Sequence, residues 1–388
     1  MNLDPAGART GQPTAAVAVV VPWYGGSHKS WADAIVRHSH HDIQLVTHTA
    51  EHWRWRVAGG PVTLAEDLEL AYRDRDRPDV VVISSLTDAS ALCGLARRAI
   101  GDAAVVVYQH ESQLLYPRSP RQSKEPVDEA GSMAEWRSMV ASDEVWFNSA
   151  FHRDVYLATV RKHFAEVLTA PGHRHVVERV AAKASILPVG VEMADIAQRQ
   201  LGATRDPLIV FNQRWDDDKR PGAVMVALDH VASSGMPFRV ALAGPRSALA
   251  TMPRLGATLQ TRVVHDEEAD RATYAQLLYD ADIVVSDAVH EFFGVAAVEA
   301  IAAGTIPLLP ARQNYPDLVA RLPRFLHHGH DLVPRLAETI ASLFDPSQEL
   351  ETDFARVAEM ARRHEASLVT AEFDQRISRL AGAGSAGR

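Results

Sequence analysis

The chain has 388 residues, is 47% hydrophobic and 23% charged, and carries a formal net charge of −9. That length and apolar content suit two domains, each with its own core, and exclude a disordered or fibrous chain. One cysteine, Cys93, excludes an intramolecular disulfide framework and a cysteine-cluster zinc site, and it suits a reducing, cytoplasmic setting.

Residues 1–12, rich in Gly, Pro and Thr, read as a disordered lead-in. The first apolar run, Ala15–Val21, is too short to span a bilayer and has neither a basic flank nor a cleavage site. It therefore reads as a strand, and no membrane association is expected. Similar runs follow at Ile43–Thr47, Val80–Ser84, Ala103–Tyr108, Glu144–Asn148 and Ser185–Pro188, with helical patterns between them. A second series comprises Leu208–Asn212, Phe238–Ala243, Arg262–Val264, Ile283–Ser286, Ile306–Leu309 and Phe325–His327. Short continuous apolar strands bounded by polar turns indicate parallel sheets covered on both faces. Twelve runs exceed one ordinary doubly wound sheet, and the polar stretch Met193–Arg205 marks a break. The expected domains are 13–192 and 206–345, both α/β and Rossmann-like, with ligands at the carboxyl ends of the strands.

Four first-domain segments stand at such strand ends. Trp23-Tyr24-Gly25-Gly26-Ser27-His28-Lys29 follows the first strand; Gly25 and Gly26 permit close backbone approach to a phosphate, but the dinucleotide-binding glycine spacing is absent. His52-Trp53-Arg54-Trp55-Arg56 alternates aromatics and guanidiniums that can stack on and pair with a nucleic acid; the alternative is an edge strand with Trp inward and Arg outward. Gln109-His110-Glu111-Ser112-Gln113 and Asn148-Ser149-Ala150-Phe151 end two further strands.

The second domain opens with Gln213-Arg214-Trp215-Asp216-Asp217-Asp218-Lys219 after its first strand. A diphosphate bound without a metal needs cations, and Arg214 and Lys219 can supply them; the alternative is a solvated loop in which the three aspartates pair with those cations. Gly244-Pro245-Arg246 and Val264-His265-Asp266 stand at later strand ends. The densest motif is His290-Glu291-Phe292-Phe293-Gly294-Val295-Ala296-Ala297-Val298-Glu299-Ala300, with Gly304 as its stop. Glu299 lies among residues that read as a buried helix, where an isolated carboxylate costs several kcal/mol; a ligand hydroxyl is a natural partner. Glu291 precedes the helix, whose N-terminus favours anions.

The glutamate pair with its Phe-Gly turn resembles the signature of retaining nucleotide-sugar glycosyltransferases of the GT-B fold, which implies two Rossmann-like domains facing across a cleft. It also implies C-terminal helices over 346–380 packing back on the first domain; the tail 381–388 reads, like residues 1–12, as flexible from its composition. The segments WYGGSHK, HWRWR, HESQLLYP and WFNSAF resemble, in that order, the tRNA-queuosine mannosyltransferase family, which more typically has Asn where Ser112 stands. This resemblance implies transfer of mannose from GDP-mannose to queuosine at a tRNA wobble position, with no metal or other cofactor. It makes His110, Glu291, Arg214 and Lys219 catalytic candidates. Gly25, Gly26, Arg214, Lys219, Gly244, His265, Phe292, Phe293, Gly294, Val295 and Glu299 become donor-binding candidates. Ser27, His28, Trp53, Arg54, Trp55, Arg56, Glu111, Gln113, Asn148, Arg174 and Arg179 become acceptor-binding candidates.

Charge argues against RNA binding in bulk but not locally. Residues 1–190 hold 20 Lys/Arg against 22 Asp/Glu, and the remainder 20 against 27. Within the first domain, Arg153, Arg161, Lys162, Arg174, Arg179 and Lys183 outnumber the acids around them, and Arg118, Arg121 and Lys124 form a second basic group. The histidine groups His38/His40/His41 and His327/His328/His330 lack a convincing metal-ligand set.

Overall fold

The computed structural model describes residues 14–117, 129–166, 173–199, 201–202, 206–246 and 254–386. Residues 1–12, Arg118, Arg121 and Lys124 lie outside these, as do the side chains of Trp53, Arg54 and Arg174. All twelve apolar runs form strands, with ends displaced by a few residues. They are β1 (Ala16–Tyr24), β2 (Asp42–Thr49), β3 (Val80–Ser84), β4 (Ala104–Gln109), β5 (Glu144–Phe147) and β6 (Ala184–Ile186) in one unit. In the other they are β7 (Leu208–Phe211), β8 (Arg239–Leu242), β9 (Val263–Asp266), β10 (Ile283–Val285), β11 (Ile306–Pro310) and β12 (Leu326–His327).

The first unit takes its described residues from 14–116, 129–190 and 366–386, the second from Pro117 and 191–365. The first sheet runs β2-β1-β3-β4-β5-β6 and the second β12-β11-β10-β7-β8-β9. Every pairing is parallel. Helices cover both faces, which is why the strands read as unbroken apolar runs: Val17 to Val21 and Val80 to Ile83 are fully buried. Each such side chain contributes about 1.5–3 kcal/mol on burial. These are the two Rossmann-like units of the GT-B class. Strand order reverses between β1 and β3 in the first sheet and between β7 and β10 in the second, and such switch points are where open α/β sheets hold ligands.

The C-terminal region divides. The helix Gln348–Arg362 stays with the second unit, where Arg362 donates to the Ala302 carbonyl at 2.5 Å. The helix Ala366–Ala386 belongs to the first. There Arg376 reaches Ser185 Oγ at 2.9 Å, and Asp374 accepts from Ser39, His40 N–H and the His40 ring. The expected return of both helices to the first unit is thus corrected for 348–362. Of the tail expected at 381–388, residues 381–386 continue this helix, and 387–388 lie outside the described residues.

His40, His41 and Asp374 bring potential ligand atoms within 4.8 Å of one another. The ring nitrogens of His41 are engaged otherwise: Nδ1 accepts from Ala15 N–H at 3.2 Å and Nε2 meets the Asp374 carbonyl at 3.0 Å. The group clasps the last helix to the first sheet.

Candidate functional site

In the second unit, the residues after β7 and β10 converge at the switch point. Ser286 donates to Gln213 Oε1 at 2.7 Å, and Gln213 Nε2 donates to the Tyr315 hydroxyl at 2.6 Å, all three buried. Lys219 ends a 3-10 turn, Asp217–Lys219, that turns its ammonium inward. The ammonium donates to the His290 carbonyl at 2.8 Å and meets Glu291 and Asp218 carboxylates at 3.1 Å each. Burial alone would push this lysine down, but Glu291 and Asp218 override it and hold the ammonium well above its ordinary value. Lys219 is therefore a fixed cation, 8% exposed, paired to the glutamate it was expected to work beside.

Arg214 is half-exposed and pairs with Asp216 at 3.4 Å. Both loop cations thus meet local aspartates, as the solvated-loop alternative anticipated, yet Lys219 is buried and shared with Glu291. Glycine at 294 has a geometric cause: φ is +100°, and an added Cβ would meet Leu318 Cδ1 at 2.9 Å. That left-handed turn aims the helix Val295–Ala303 so that its first-turn N–H groups face away from the helix body. Glu291 Oε1 accepts from Phe293 N–H at 3.4 Å, and Asn314 Nδ2 donates to the Phe293 carbonyl at 2.8 Å, so the Phe292–Val295 turn is held from two sides.

Glu299 is partly buried, its side chain 12% exposed, and it is not isolated. Its two oxygens accept from Arg271 Nη1 at 2.7 Å and the Tyr274 hydroxyl at 2.9 Å. Burial still leaves its carboxyl above the ordinary value, against the pull of Arg271 and Tyr274. Arg271 also forks onto Asp195 and bonds the Glu192 carbonyl. The ligand hydroxyl inferred as its partner is therefore at most an additional one, since a carboxylate has about four acceptor sites. Arg271 had no signal in the sequence, because the pair spans 28 residues and depends on packing one helix against another. Gly244 likewise has a packing reason: an added Cβ would lie 1.8 Å from the Gln213 carbonyl. His265 contacts the Glu267 carbonyl at 2.9 Å through its ring.

In the first unit, the ends of β1, β4 and β5 gather three buried imidazoles. The His28 ring lies 4.2 Å from that of His110, and Trp31 and Tyr108 enclose His110 further. Asn148 donates to the His110 carbonyl at 2.9 Å and meets His152 Nδ1 at 2.9 Å, tying the two strand ends together. Burial, then His28 and His152, hold His110 well below the ordinary histidine value, so its imidazole is neutral. Glu111 stands 3.5 Å from His28 Nε2. Gly25 is explained by packing, since a Cβ there would meet Ala50 Cβ at 2.4 Å, while Gly26 has φ +51° and open space beside it. Ser27 is exposed.

The Trp53–Ala58 segment is a helix, which overturns the edge-strand alternative: at 100° per residue the alternation cannot separate Trp from Arg. Trp55 is 64% exposed, whereas Arg56 is spent on the Glu51 carbonyl, His48 and Thr49. The expected basic surface is diluted. Arg161 pairs with Glu178, Arg153 with Asp154, and Lys183 caps the Val140 and Ser142 carbonyls, leaving Arg179 exposed on its helix.

Glu135 escaped the sequence reading although a signal existed. In the helix Glu129–Ala141 it shares the buried positions with Gly131, Ala134 and Ser138, so a carboxylate sits on an inward face. Its Oε2 accepts from Ser112 Oγ, Gln113 N–H and Leu114 N–H at 3.0–3.2 Å. Burial pushes its carboxyl up to about 8, against the Leu114, Ser112 and Gln113 hydrogen bonds. A raised acid holds its proton longer in the native state than in the unfolded one. Its contribution is intact below about pH 4.5 and is lost as pH climbs through about 8. Glu135→Gln, which keeps the acceptor, should therefore remove a stability loss of a few kcal/mol over that range. Chemical denaturation of both proteins from pH 5 to 9 checks this; parallel curves would show that Glu135 does not titrate in the window.

Residues 16–191 match the family model described as tRNA-queuosine alpha-mannosyltransferase N-terminal. The tRNA-queuosine alpha-mannosyltransferase of Drosophila melanogaster is 29% identical over 314 residues, covering 78% of this chain and 81% of that protein. Among solved structures, sucrose-phosphate synthase from Thermosynechococcus elongatus superposes with a TM-score of 0.67 at 15% identity, covering 95% of this chain and 100% of that one. An alpha,alpha-trehalose 6-phosphate synthase from Burkholderia multivorans gives 0.66 at 14% identity, with 95% and 100% covered. At those identities the likeness is one of fold. No described helix is long and apolar enough to cross a membrane.

Proposed function

We propose that this protein transfers mannose from GDP-mannose to queuosine in tRNA: residues 16–191 match the family model described as tRNA-queuosine alpha-mannosyltransferase N-terminal, the similar fly protein carries that activity in its name, and the fold is shared with solved GT-B glycosyltransferases. The observation that carries the donor half of this reading is the buried Lys219 ammonium held against Glu291 at a sheet's switch point. A preorganised cation beside a helix N-terminus is suited to the charge that grows on a departing diphosphate. In this reading Lys219, Arg214 and the N–H groups of Phe292–Val295 receive the diphosphate. Glu291 holds sugar hydroxyls, and Glu299, fixed by Arg271, accepts from the ribose. Attack from the face the diphosphate leaves, assisted by that diphosphate, retains the anomeric configuration. No metal takes part, and the reaction belongs to the cytoplasm.

Incubation with GDP-mannose or UDP-glucose, with and without queuosine-containing tRNA, tests the assignment. A hexose mass shift on that tRNA with GDP-mannose alone is the expected result, and it should persist in EDTA. A shift on a small glycan instead would replace the acceptor, and strict dependence on a divalent ion would remove the metal-free mechanism.

A further inference from the structure

Asp287 follows β10 at the switch point of the second sheet and is 1% exposed. Two guanidiniums share its carboxylate: Arg220 Nη1 lies 3.0 Å from Oδ2, and Arg312 donates to Oδ1. Arg312 also donates to the carbonyls of Asp287 at 2.8 Å and Ala288 at 2.9 Å, so the backbone leaving β10 is gripped along with the side chain. A buried ion pair is weak evidence of added stability, because desolvation offsets the attraction. What this one does is hold geometry.

Backbone strain marks the same place. Arg220 has φ +49°, and Gln313, which follows Arg312, has φ +58°. Non-glycine residues keep such conformations only where their surroundings over-determine them, and they gather where geometry is used. Arg220 is the chain neighbour of Lys219, and the loop that Asp287 begins carries His290, whose carbonyl receives the Lys219 ammonium at 2.8 Å. Between those contacts, Val289 N–H donates to the Asp218 carbonyl at 2.8 Å. A closed ring therefore runs from Asp287 through His290 and Lys219 to Arg220 and back. We propose that Asp287 is a positioning residue: through Arg220 and Arg312 it fixes where the Lys219 ammonium stands against the departing diphosphate. The reaction it serves rests on the mannosyl-transfer reading, whereas its hold on Lys219 rests on these contacts alone. Without the carboxylate, two like charges face each other and the ring opens at Arg220.

The test uses the full chain. Asp287→Asn keeps the shape and removes the charge, whereas Arg220→Gly takes a positive φ freely and loses only the guanidinium. Each is made alone and together with Lys219→Ala. Turnover is measured with GDP-mannose and queuosine-containing tRNA, donor affinity by calorimetry, stability by thermal unfolding, and the place of Lys219 by crystal structures of the two single variants. Asp287→Asn should lower kcat about tenfold or more with donor affinity nearly unchanged, because a preorganised charge acts mainly on the transition state. Arg220→Gly should also lower kcat while its unfolding temperature holds or rises, a pairing that a merely structural ion pair does not give. In the Lys219→Ala background either change should cost no more than about twofold, since groups acting through one ammonium are not additive. In both crystal structures the ammonium should have left the His290 carbonyl. If Asp287→Asn does not fold, Arg220→Gly decides by the same criteria. An ammonium still in place, or losses that multiply in the double variants, overturns the proposal even if tRNA is mannosylated. A displaced ammonium in a protein whose wild type transfers nothing to tRNA sustains the hold of Asp287 on Lys219 and overturns the mannosyl-transfer reading instead.

Discussion

Lys219→Ala lowers turnover by about 10²-fold or more, on the scale of losing one preorganised donor at a developing charge. The ammonium is anchored by the His290 carbonyl and by carboxylates of Glu291 and Asp218, so it cannot drift toward solvent as the diphosphate departs. Its loss also leaves two carboxylates together without a cation, which disfavours their charged forms and lowers stability. Lys219→Arg separates the two effects, because it keeps the charge while altering the geometry. The expected pattern is a folded Lys219→Arg enzyme with partial turnover, and a Lys219→Ala enzyme whose kcat falls far more than its donor affinity. Single-turnover kinetics alongside thermal unfolding measures both. A folded Lys219→Ala protein with kcat within threefold of wild type would take this lysine out of the chemistry.

Arg271→Ala should weaken nucleotide binding at least tenfold near neutral pH, although Arg271 itself need not touch the ligand. Arg271 both orients Glu299 and opposes the burial that raises its carboxyl. Without it, Glu299 moves further toward the protonated form, which accepts from ribose hydroxyls more weakly than a carboxylate. The sign follows from the direction of the shift: raising the pH ionises Glu299, so the variant should recover affinity as pH rises while the wild type changes little. Glu299→Gln should bind weakly at every pH. Calorimetric titration with GDP from pH 6 to 9 checks the three proteins. A pH-independent loss in Arg271→Ala would mean that the guanidinium contacts the nucleotide directly or merely holds the helix in place.

The fold was legible at the level of strands, because a strand buried on both faces must be apolar along its whole length. Val17–Val21, Val80–Ile83 and Ile306–Leu309 announce themselves without any neighbour. Helical segments with mixed roles were less legible. Trp53–Ala58 alternates like a strand and folds as a helix, since what decides it is the neighbouring Gly59–Gly60 turn and the anchoring of Arg56, not its own pattern. The C-terminal helices show the same limit: both are amphipathic, and only their partners send Gln348–Arg362 to one unit and Ala366–Ala386 to the other.

By itself the sequence determined that two parallel α/β units exist, where their strand ends lie, that Lys219, Glu291 and His110 follow those ends, and that Glu299 lies on the helix after Gly294. These are properties of periodicity and of short-range order along the chain. Only the tertiary structure decided which charges are spent on one another. Lys219 meets Glu291 across 72 residues, Arg271 meets Glu299 across 28, and Glu135 gathers Ser112 and two backbone N–H groups from more than 20 residues away. Electrostatic partnership depends on distances of a few ångströms and on the exclusion of water, and both arise only when separate elements pack together.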